Sequence, residues 1–411
     1  MRIVVVAAVV AVVVGGLPGC TEELVPADTV FGLPAEDSFA DDRPDIAPGP
    51  GEGRLYVTNN LDDTVSVFDV DAVGTDDFLV LATVPLGFIP VAREGPHHVA
   101  VHPDGEHYFV GISNFVPGSG SGPHGIHGSG TADGHAFKIS VDSNLVVAEA
   151  RVDPSPGDIR LTPDGRLLLM SHFDLVKIIN SVQQGDRTLA VARLAIIDAD
   201  TMERRAIVPL CPGAHGIAVS HDGTAAYVSC VSDELAVVDL TDPTFPVTRV
   251  PVIDAPGTAE APVCYPYATA VSPDDKVVLV SCYQTGELRW FDVDAGVIDA
   301  ARSPALPGLA VFGSFIDDGA RFIATHQDTD GIAVVSMATG EIERVVITEN
   351  QCVKPHFARP TEDGSLWLVV CEGDHSSPGA VAVIEPESGE IVQSVPVGRF
   401  PDDLALLRRA P

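Results

Sequence analysis

Apolar and polar residues alternate on both sides of a short polar turn in residues 54–70, where "RLYVTN" and "TVSVFDV" flank "NLDD". A period of two is typical of half-buried strands, so this stretch predicts a β-hairpin. Aspartate-containing turns, most of them Asp-Gly, recur between apolar runs farther along the chain, and such turns favour hairpins. Their aspartates are Asp104, Asp164, Asp222, Asp274, Asp318 and Asp363. The spacings of 60, 58, 52, 44 and 45 residues indicate a repeated hairpin-rich unit.

Each unit contains four short apolar segments, which we name strands A to D in chain order. Strand A precedes the turn, strand B follows it, strand C alternates and ends near an acid, and strand D is usually rich in Val and Ile. Four short antiparallel strands per unit are typical of a β-propeller blade. Long stretches with a helical period are absent from the sequence, so we expect almost no helix.

The two chain ends complete one another in this pattern. "RLYVTN" reads as a strand B with no strand A before it, and "FPDDLAL" at residues 400–406 reads as a strand A after which the chain soon stops. Six complete hairpins and one split between the termini predict an all-β, seven-bladed β-propeller over residues 53–407. The C-terminal strand would complete the first blade and leave no open sheet edge.

The opening hairpin resembles the YVTN seven-bladed β-propeller repeat family of bacterial and archaeal surface proteins. The literal Tyr-Val-Thr-Asn stands in the first unit, and the later units have Tyr-Val-Ser-Cys, Leu-Val-Ser-Cys or Ile-Ala-Thr-His. The resemblance implies the propeller fold. It does not specify a function, because this fold includes ligand-binding proteins, lactonases and redox proteins.

The N-terminus predicts export. Residues 3–14 are continuously apolar, which is too short for a membrane span and typical of a signal-peptide core. "LPGC" then resembles a bacterial lipobox, which implies cleavage after residue 19, lipid on Cys20 and sorting to the outer membrane; an ordinary signal peptide with a stray cysteine is the alternative. Residues 20–52 read as the lipidated cysteine and a flexible tether.

The net charge of −34 excludes some partners. Nucleic-acid binding needs clustered positive charge, which this chain lacks. The same acidity opposes electrostatic binding to anionic lipid, so membrane contact would depend on the lipid anchor. We expect a monomer facing the periplasm or the cell exterior.

The six cysteines after Cys20 follow the repeat. They fall as Cys211 with Cys230, Cys264 with Cys282, and Cys352 with Cys371. The second member of each pair lies eight residues after the turn aspartate. The start of strand A lies beside the end of strand B in a hairpin, so each pair is predicted to form a disulfide within one blade, as suits an oxidising compartment. A metal or haem site is the alternative, but neither Cys-x-x-Cys nor Cys-x-x-Cys-His occurs.

Most of the 13 histidines are predicted on the face opposite the A–B turns. Seven residues before the turn aspartate, at the channel end of strand A, stand His97, His215 and His356, with Asp402 at the matching place in the last strand. His98 follows His97, and His172 and His326 end two B strands. The B–C loops add His124, His127, His135 and His375. Imidazole is a common ligand of copper, zinc and iron. One interpretation is therefore a metal site, with copper or another divalent transition metal as the cofactor. Its candidate ligands are His97, His98, His215, His356, His172 and His326.

Three segments, "GPHHVAVHPDG", "GAHGIAVSHDG" and "KPHFARPTEDG", resemble the propeller domain of nitrous oxide reductase. That family uses similar His-His and Pro-His-Gly segments at strand starts to hold a copper cluster. The resemblance extends to His97, His98, His215 and His356. Tyr267 and Val311 stand where further ligands would be needed.

Three functions remain open from the sequence. The first is a non-enzymatic protein that binds a ligand or protein partner on the histidine-bearing face. In that case the histidines would hydrogen-bond backbone groups or lie in flexible loops. The second is a metal-dependent redox or sensing protein. The third is a lactonase-like hydrolase, for which Asp158, Asp402 and His97 are candidate residues.

Overall fold

Seven four-stranded antiparallel sheets form the part of the chain that the computed structural model describes, which is residues 46–87, 94–113 and 132–411. The sheets follow one another along the sequence as the blades of a seven-bladed β-propeller. The predicted fold class is confirmed.

The strands are numbered β1 to β28 in chain order. Blade 1 contains β1 Gly53–Asn59, β2 Thr64–Asp69, β3 Val80–Pro85 and β28 Pro401–Arg408; blade 2 contains β4 Pro96–Val101, β5 His107–Ile112, β6 Gly134–Ser140 and β7 Val146–Val152; blade 3 contains β8 Pro156–Leu161, β9 Leu167–His172, β10 Val191–Asp198 and β11 Arg204–Pro212; blade 4 contains β12 Ala214–Val219, β13 Ala225–Cys230, β14 Glu234–Asp239 and β15 Val247–Pro251. Blade 5 contains β16 Pro266–Val271, β17 Val277–Cys282, β18 Leu288–Asp292 and β19 Val297–Asp299; blade 6 contains β20 Leu309–Ile316, β21 Arg321–Gln327, β22 Gly331–Ser336 and β23 Ile342–Ile347; blade 7 contains β24 Pro355–Pro360, β25 Trp367–Cys371, β26 Pro378–Ile384 and β27 Ile391–Arg399.

Helix is scarce among the described residues, as predicted. The α-helix α1, Leu175–Gln184, lies in the B–C connection of blade 3, and short 3₁₀ turns span Val70–Ala72, Arg187–Ala190, Asp317–Gly319 and Glu349–Gln351. Asp174 caps α1 by accepting the Lys177 amide, and Gly185 ends it in the left-handed conformation. Leu175 and Ile178 anchor its buried face. Helices of the described residues are neither long nor apolar enough to cross a membrane.

The chain closes on itself in blade 1. Strand β28 pairs antiparallel with β1, with Leu404 opposite Val57 and Ala405 opposite Tyr56. The terminal closure predicted from the two chain ends is thereby confirmed. Tyr56 stacks on Tyr108 of blade 2 with ring centroids 4.1 Å apart, so the closed blade also packs firmly against its neighbour.

In six blades, a residue in the left-handed backbone conformation directly precedes the innermost strand. The residue just before it has a positive φ, and these residues are Gly95, Ser155, Gly213, Tyr265, Lys354 and Phe400. This conformation directs the chain back towards the propeller axis, so the next few residues lie at one end of the channel. Glycine adopts this conformation without steric cost, and the four larger residues adopt it at some cost.

Hydroxyl groups join neighbouring blades at this same end. The side chains of Thr58, Ser171, Ser229 and Thr325 occupy equivalent positions in strand B, and each donates a hydrogen bond to the innermost strand of the following blade. The acceptors are the carbonyls of His97, His215, Tyr267 and His356, at 2.8, 2.5, 2.6 and 2.8 Å. These bonds fix the backbone on which the candidate site is built.

Several sequence-based expectations lie outside the described residues. They are the signal peptide of residues 1–19, the lipid site Cys20, the first part of the tether, and the loop histidines His124 and His127. The end of the predicted tether is ordered: Ile46 is buried in the core between blades 1 and 2, and its carbonyl accepts the Arg54 Nε–H at 2.7 Å. The last residues of the predicted tether therefore contact the propeller.

Candidate functional site

Three histidines occupy the same place in different blades at the end of the channel. The Nδ1 atoms of His97 and His215 lie 2.5 Å from the Gly157 carbonyl and 3.2 Å from the Tyr267 carbonyl, each in the following blade. The Nδ1 of His356 contacts the Asp402 carbonyl in the same way. Each of the three histidines is at most 2% exposed. The repeat therefore brings together remote imidazoles with their Nδ1 atoms on backbone acceptors.

His97, His98 and His215 form one compact cluster. Their ring centroids are 4.6 Å apart for His97–His98, 5.6 Å for His97–His215 and 5.8 Å for His98–His215. One ring nitrogen from each lies within 4.8 Å of the nitrogens of the other two. The Nε2 of His98 is buried without a hydrogen-bond partner among the described residues. A trio of nitrogen donors at this spacing fits a transition metal ion.

His356 borders this cluster without joining it. Its ring centroid is 6.3 Å from that of His98, and its Nε2 lies 3.4 Å from the Tyr267 hydroxyl. Its Nδ1 is also 3.1 Å from Asp402 Oδ1. His356 therefore links the histidine cluster to the closing strand.

Asp402 forms a buried ion pair with His97. Its Oδ2 lies 2.9 Å from His97 Nε2. Burial by itself raises a carboxyl pKa, but the charges of His97 and His356 outweigh it and hold the pKa of Asp402 well below its usual range. Burial likewise lowers a histidine pKa, yet Asp402 and the Gly157 carbonyl raise the pKa of His97 overall. Acceptors lie at both ring nitrogens of His97, so this arrangement favours its protonated form.

A second buried group surrounds the other nitrogen of His98. The His98 Nδ1 lies 3.2 Å from Asp158 Oδ1 and 3.1 Å from Asp403 Oδ2, and Arg160 Nη1 lies 3.1 Å from each of the same two oxygens. Burial opposes ionisation of Asp403, but Arg160 and His98 lower its pKa overall. Each carboxylate also accepts a backbone amide of the next blade, Ile217 for Asp158 and Val99 for Asp403.

Asp403 and Arg160 are not singled out by the sequence patterns. The available signals are the adjacent Asp402–Asp403 pair in the last strand and the arginine of "DIRLTPDG". Their meaning depends on closure, because only the paired β28 brings Asp403 from the chain end to within reach of Arg160.

His172 and His326 lie apart from the cluster. His172 is the last residue of β9 and His326 the penultimate residue of β21, the second strands of their blades, where they pair with Pro156 and Ala310. The Nδ1 of His172 contacts the Arg193 carbonyl at 2.7 Å, and that of His326 contacts Thr329 Oγ1 at 3.0 Å. One strand of separation from the axis explains why the structure does not bring them to His98. Burial lowers the pKa of His172 and lowers that of His326 to about 4.

The remaining described histidines on this face have local partners. His135 Nδ1 lies 3.8 Å from Glu149 Oε2, and His375 Nε2 lies 2.7 Å from Oε2 of the buried Glu372. His102 and His221 lie in A–B turns, as the sequence indicates. Proximity to the axis, rather than the face alone, decides which histidines meet.

All three predicted disulfides are confirmed. One of them differs in its placement. Cys211 lies in β11, the last strand of blade 3, because that strand extends to Pro212. The Cys211–Cys230 bond therefore joins blades 3 and 4, whereas the sequence pattern predicted a bond within one blade.

A groove of about 650 Å³ lies beside Tyr265 and Tyr283, near the channel end. Its walls include Ile178 and Val182 of α1 together with Tyr265 and Tyr283. The ring of Tyr283 lies 5.7 Å from that of Tyr267, which stacks on His215 at 4.1 Å. The groove is therefore separated from the histidine cluster by only two aromatic rings.

Comparisons with known proteins bear on the fold. Among solved structures, the chain is similar to a periplasmic gluconolactonase of Pseudomonas aeruginosa, with 17% identity, 87% of this chain and 99% of that chain covered, and a TM-score of 0.61. It is also similar to a candidate 6-phosphogluconolactonase of Bacteroides uniformis, with 13% identity, 87% and 99% coverage, and a TM-score of 0.58. Kuenenia stuttgartiensis hydrazine synthase matches at 17% identity, 73% and 80% coverage, and a TM-score of 0.52.

These likenesses show the fold. No family model and no curated protein matches the sequence, so the resemblance to the YVTN repeat family is not confirmed at that level. At such low identity the names of the similar structures do not transfer to this chain.

Proposed function

We propose that this protein is an exported, lipid-anchored binding protein, and that the ligand at its channel end is a divalent transition metal ion. The observation that carries the proposal is the buried Nε2 of His98, which has no hydrogen-bond partner among the described residues and lies in one cluster with His97 and His215. A buried polar atom without a partner costs roughly 1–3 kcal/mol. A bound metal ion would satisfy this nitrogen.

The surroundings of the three rings support a metal site. Histidines that bind a metal through one nitrogen usually donate the other N–H to a carbonyl or carboxylate, which fixes the tautomer and the ring orientation. His97 and His215 face carbonyls through Nδ1, and His98 faces two carboxylates. Each ring is therefore held through one nitrogen. For His97, binding a metal through Nε2 would require this nitrogen to lose its proton and its contact with Asp402.

Metal analysis of protein purified without a polyhistidine tag tests the proposal. Copper and zinc should each be titrated against a competing chelator. We expect one tightly bound ion per chain in the wild type and at least tenfold weaker binding in His98→Gln and His215→Gln. His221→Gln is the matched control, because its ring lies in an A–B turn and contacts Asp275.

Circular dichroism of each variant separates loss of the site from loss of the fold. If the wild type bound neither metal, or if a folded His98→Gln bound as tightly as His221→Gln, the proposal would be wrong. The histidines would then serve only to fill and stabilise the channel end.

Lactone hydrolysis is a second candidate, favoured by the similarity to a structure named a gluconolactonase. His97 and Asp402 form the pair that would move a proton in such a reaction. Both are almost fully buried, so substrate would need an opening of the channel end. Release of acid from glucono-1,5-lactone, measured for the wild type and Asp402→Asn, tests this candidate. Equal rates for the two proteins would exclude a role for this pair.

A further inference from the structure

Two arginines occupy equivalent positions in the innermost strands of blades 3 and 7. Arg160 in β8 and Arg359 in β24 each lie four residues before the turn aspartate of their blade. The other blades have small residues at this position, namely Ala100, Ala218, Ala270, Ser314 and Ala405. This level of the propeller therefore has two cationic side chains and otherwise small ones.

The positive charge of Arg160 is compensated by two carboxylates. Its Nη1 lies 3.1 Å from Asp158 Oδ1 and 3.1 Å from Asp403 Oδ2. Because Asp403 belongs to blade 1, the side chain of Arg160 reaches from blade 3 to the closing strand. It remains 25% exposed. Solvent therefore reaches this guanidinium, whereas the histidine cluster is closed to it.

Arg359 differs from Arg160 in having no such partners. Within the described residues, its side chain forms no hydrogen bond and no ion pair, although it is only partly exposed. A guanidinium carries five N–H donors in a planar fork, and those of Arg359 are left for solvent or a ligand.

The charges near Arg359 do not compensate it fully. Burial lowers the pKa of its guanidinium; Asp403 and Glu362 oppose that effect, and Arg160 adds to it. Asp403 is already shared between Arg160 and His98, and Glu362 is paired with Arg408 at 2.8 Å. The positive charge of Arg359 is thus the uncompensated feature of this level of the channel.

We propose that an anionic small molecule, bearing a carboxylate or a phosphate group, binds in the channel against Arg359 and the exposed edge of Arg160. Arginine forks bind such oxyanions through two parallel hydrogen bonds, which makes the pairing strong and directional. The other five blades contribute only small side chains at this position. This site adjoins the histidine cluster, because Asp158 and Asp403 contact both Arg160 and His98, but it does not depend on a metal there.

The rest of the protein is strongly acidic and repels anions, so little background binding of an anion is expected. The net charge of −34 disfavours unspecific anion binding. Saturable binding of an anion would therefore report a local site. Inorganic phosphate and succinate serve as the probes, because they separate the phosphate chemistry from the carboxylate chemistry.

Isothermal titration calorimetry at low ionic strength measures the binding. We expect one probe molecule per chain and at least tenfold weaker binding in Arg359→Gln, with Arg359→Lys intermediate because a lysine keeps the charge without the fork. Arg205→Gln is the matched control: it removes one positive charge from an arginine that is 56% exposed and paired with Asp198. The control should bind like the wild type.

Two results would overturn the proposal. One is the absence of saturable binding of both probes, or equal binding by Arg359→Gln and Arg205→Gln. The other is loss of anion binding after a chelator removes all metal, because the anion would then be a ligand of the metal. If Arg359→Gln does not fold, Arg359→Lys decides in its place, and unchanged binding by that variant for both probes contradicts the need for the guanidinium fork.

Discussion

The two sides of the channel end share one backbone and differ in chemistry. In blades 1 to 3 the second and third residues of the innermost strand include Asp402, Asp403, His97, His98 and Asp158, which form a charged network. In blades 5 and 6 the equivalent residues, seven and six before the turn aspartate, are Tyr267, Ala268, Val311 and Phe312. The repeated fold therefore supplies the frame, and a few substitutions in it concentrate charge on one side.

The charged side also lies where the ring closes. Both Asp402 and Asp403 belong to β28, which comes from the far end of the chain, and their partners belong to blades 2, 3 and 7. Among the described residues, the aromatic side has no such ion pairs. Its rings contact consecutive blades and also reach across the channel, as Phe312 does to His98 with ring centroids 5.3 Å apart. We infer that the ion pairs help to hold the closing strand in place as well as to orient the histidines.

The largest expected effect comes from breaking the charged side. Asp402→Asn removes the charge that faces His97 and His356 and leaves a buried imidazolium without its counter-ion. We expect a loss of about 3 kcal/mol in the free energy of unfolding. On the aromatic side, Phe312→Leu keeps an apolar side chain of similar size and should cost only about 1 kcal/mol.

Reversible denaturation of metal-free protein in urea measures both values. A cost for Asp402→Asn no larger than that for Phe312→Leu would contradict the view that the charged side holds the closure.

The pH dependence sharpens the same comparison. The pKa of Asp402 is lowered on folding, so its contribution is present above the usual carboxyl value of about 4 and is lost as the pH falls through the folded value. The pKa of His97 is raised, so its contribution is complete below about 6.5 and is lost as the pH rises through the folded value. We expect the stability difference between wild type and Asp402→Asn to be greatest between about pH 4 and 6.5.

Urea denaturation of both proteins from acid to alkaline pH, with a chelator present, tests this dependence. Phe312→Leu should show a constant difference from the wild type over the same range. A constant difference for Asp402→Asn as well would rule out the proposed ion pair.

The smallest expected loss of stability comes from the hydrogen bonds between blades that both sides share. Ser171 bonds the His215 carbonyl and Ser229 bonds the Tyr267 carbonyl, so each hydroxyl joins two blades in the same way. We expect Ser171→Ala and Ser229→Ala to destabilise the protein equally, by about 1 kcal/mol each. Thermal or urea unfolding gives the values, and clearly unequal costs would show that the shared frame differs between the two sides.

Much of the fold was predictable because the repeat is regular. The turn aspartates set the register, the split hairpin at the termini implies closure, and the cysteine spacing gives the correct pairs. Cys211 was assigned to the wrong strand because strand length in the outer part of a blade is not fixed by the turn. Helix α1 was missed because it is a short insertion that packs through a few residues.

The site was predictable only in part. Equal spacing from the turn brought His97, His215 and His356 to one end, since equivalent residues in a ring share a height along the axis. The same rule could not separate His172 and His326 from the cluster, because it gives the height of a residue and not its distance from the axis. The roles of Asp403 and Arg160 depend on contacts across the channel, which no spacing along the chain reveals.

The most direct test of the central claim is the position of the metal in a crystal of the protein. Anomalous-difference density, recorded at the absorption edge of copper or zinc after soaking, shows where the ion binds. We expect one dominant peak between His97, His98 and His215 in the wild type and its absence in His98→Gln. A peak elsewhere, or no peak at this place in well-diffracting wild-type crystals, would contradict the account.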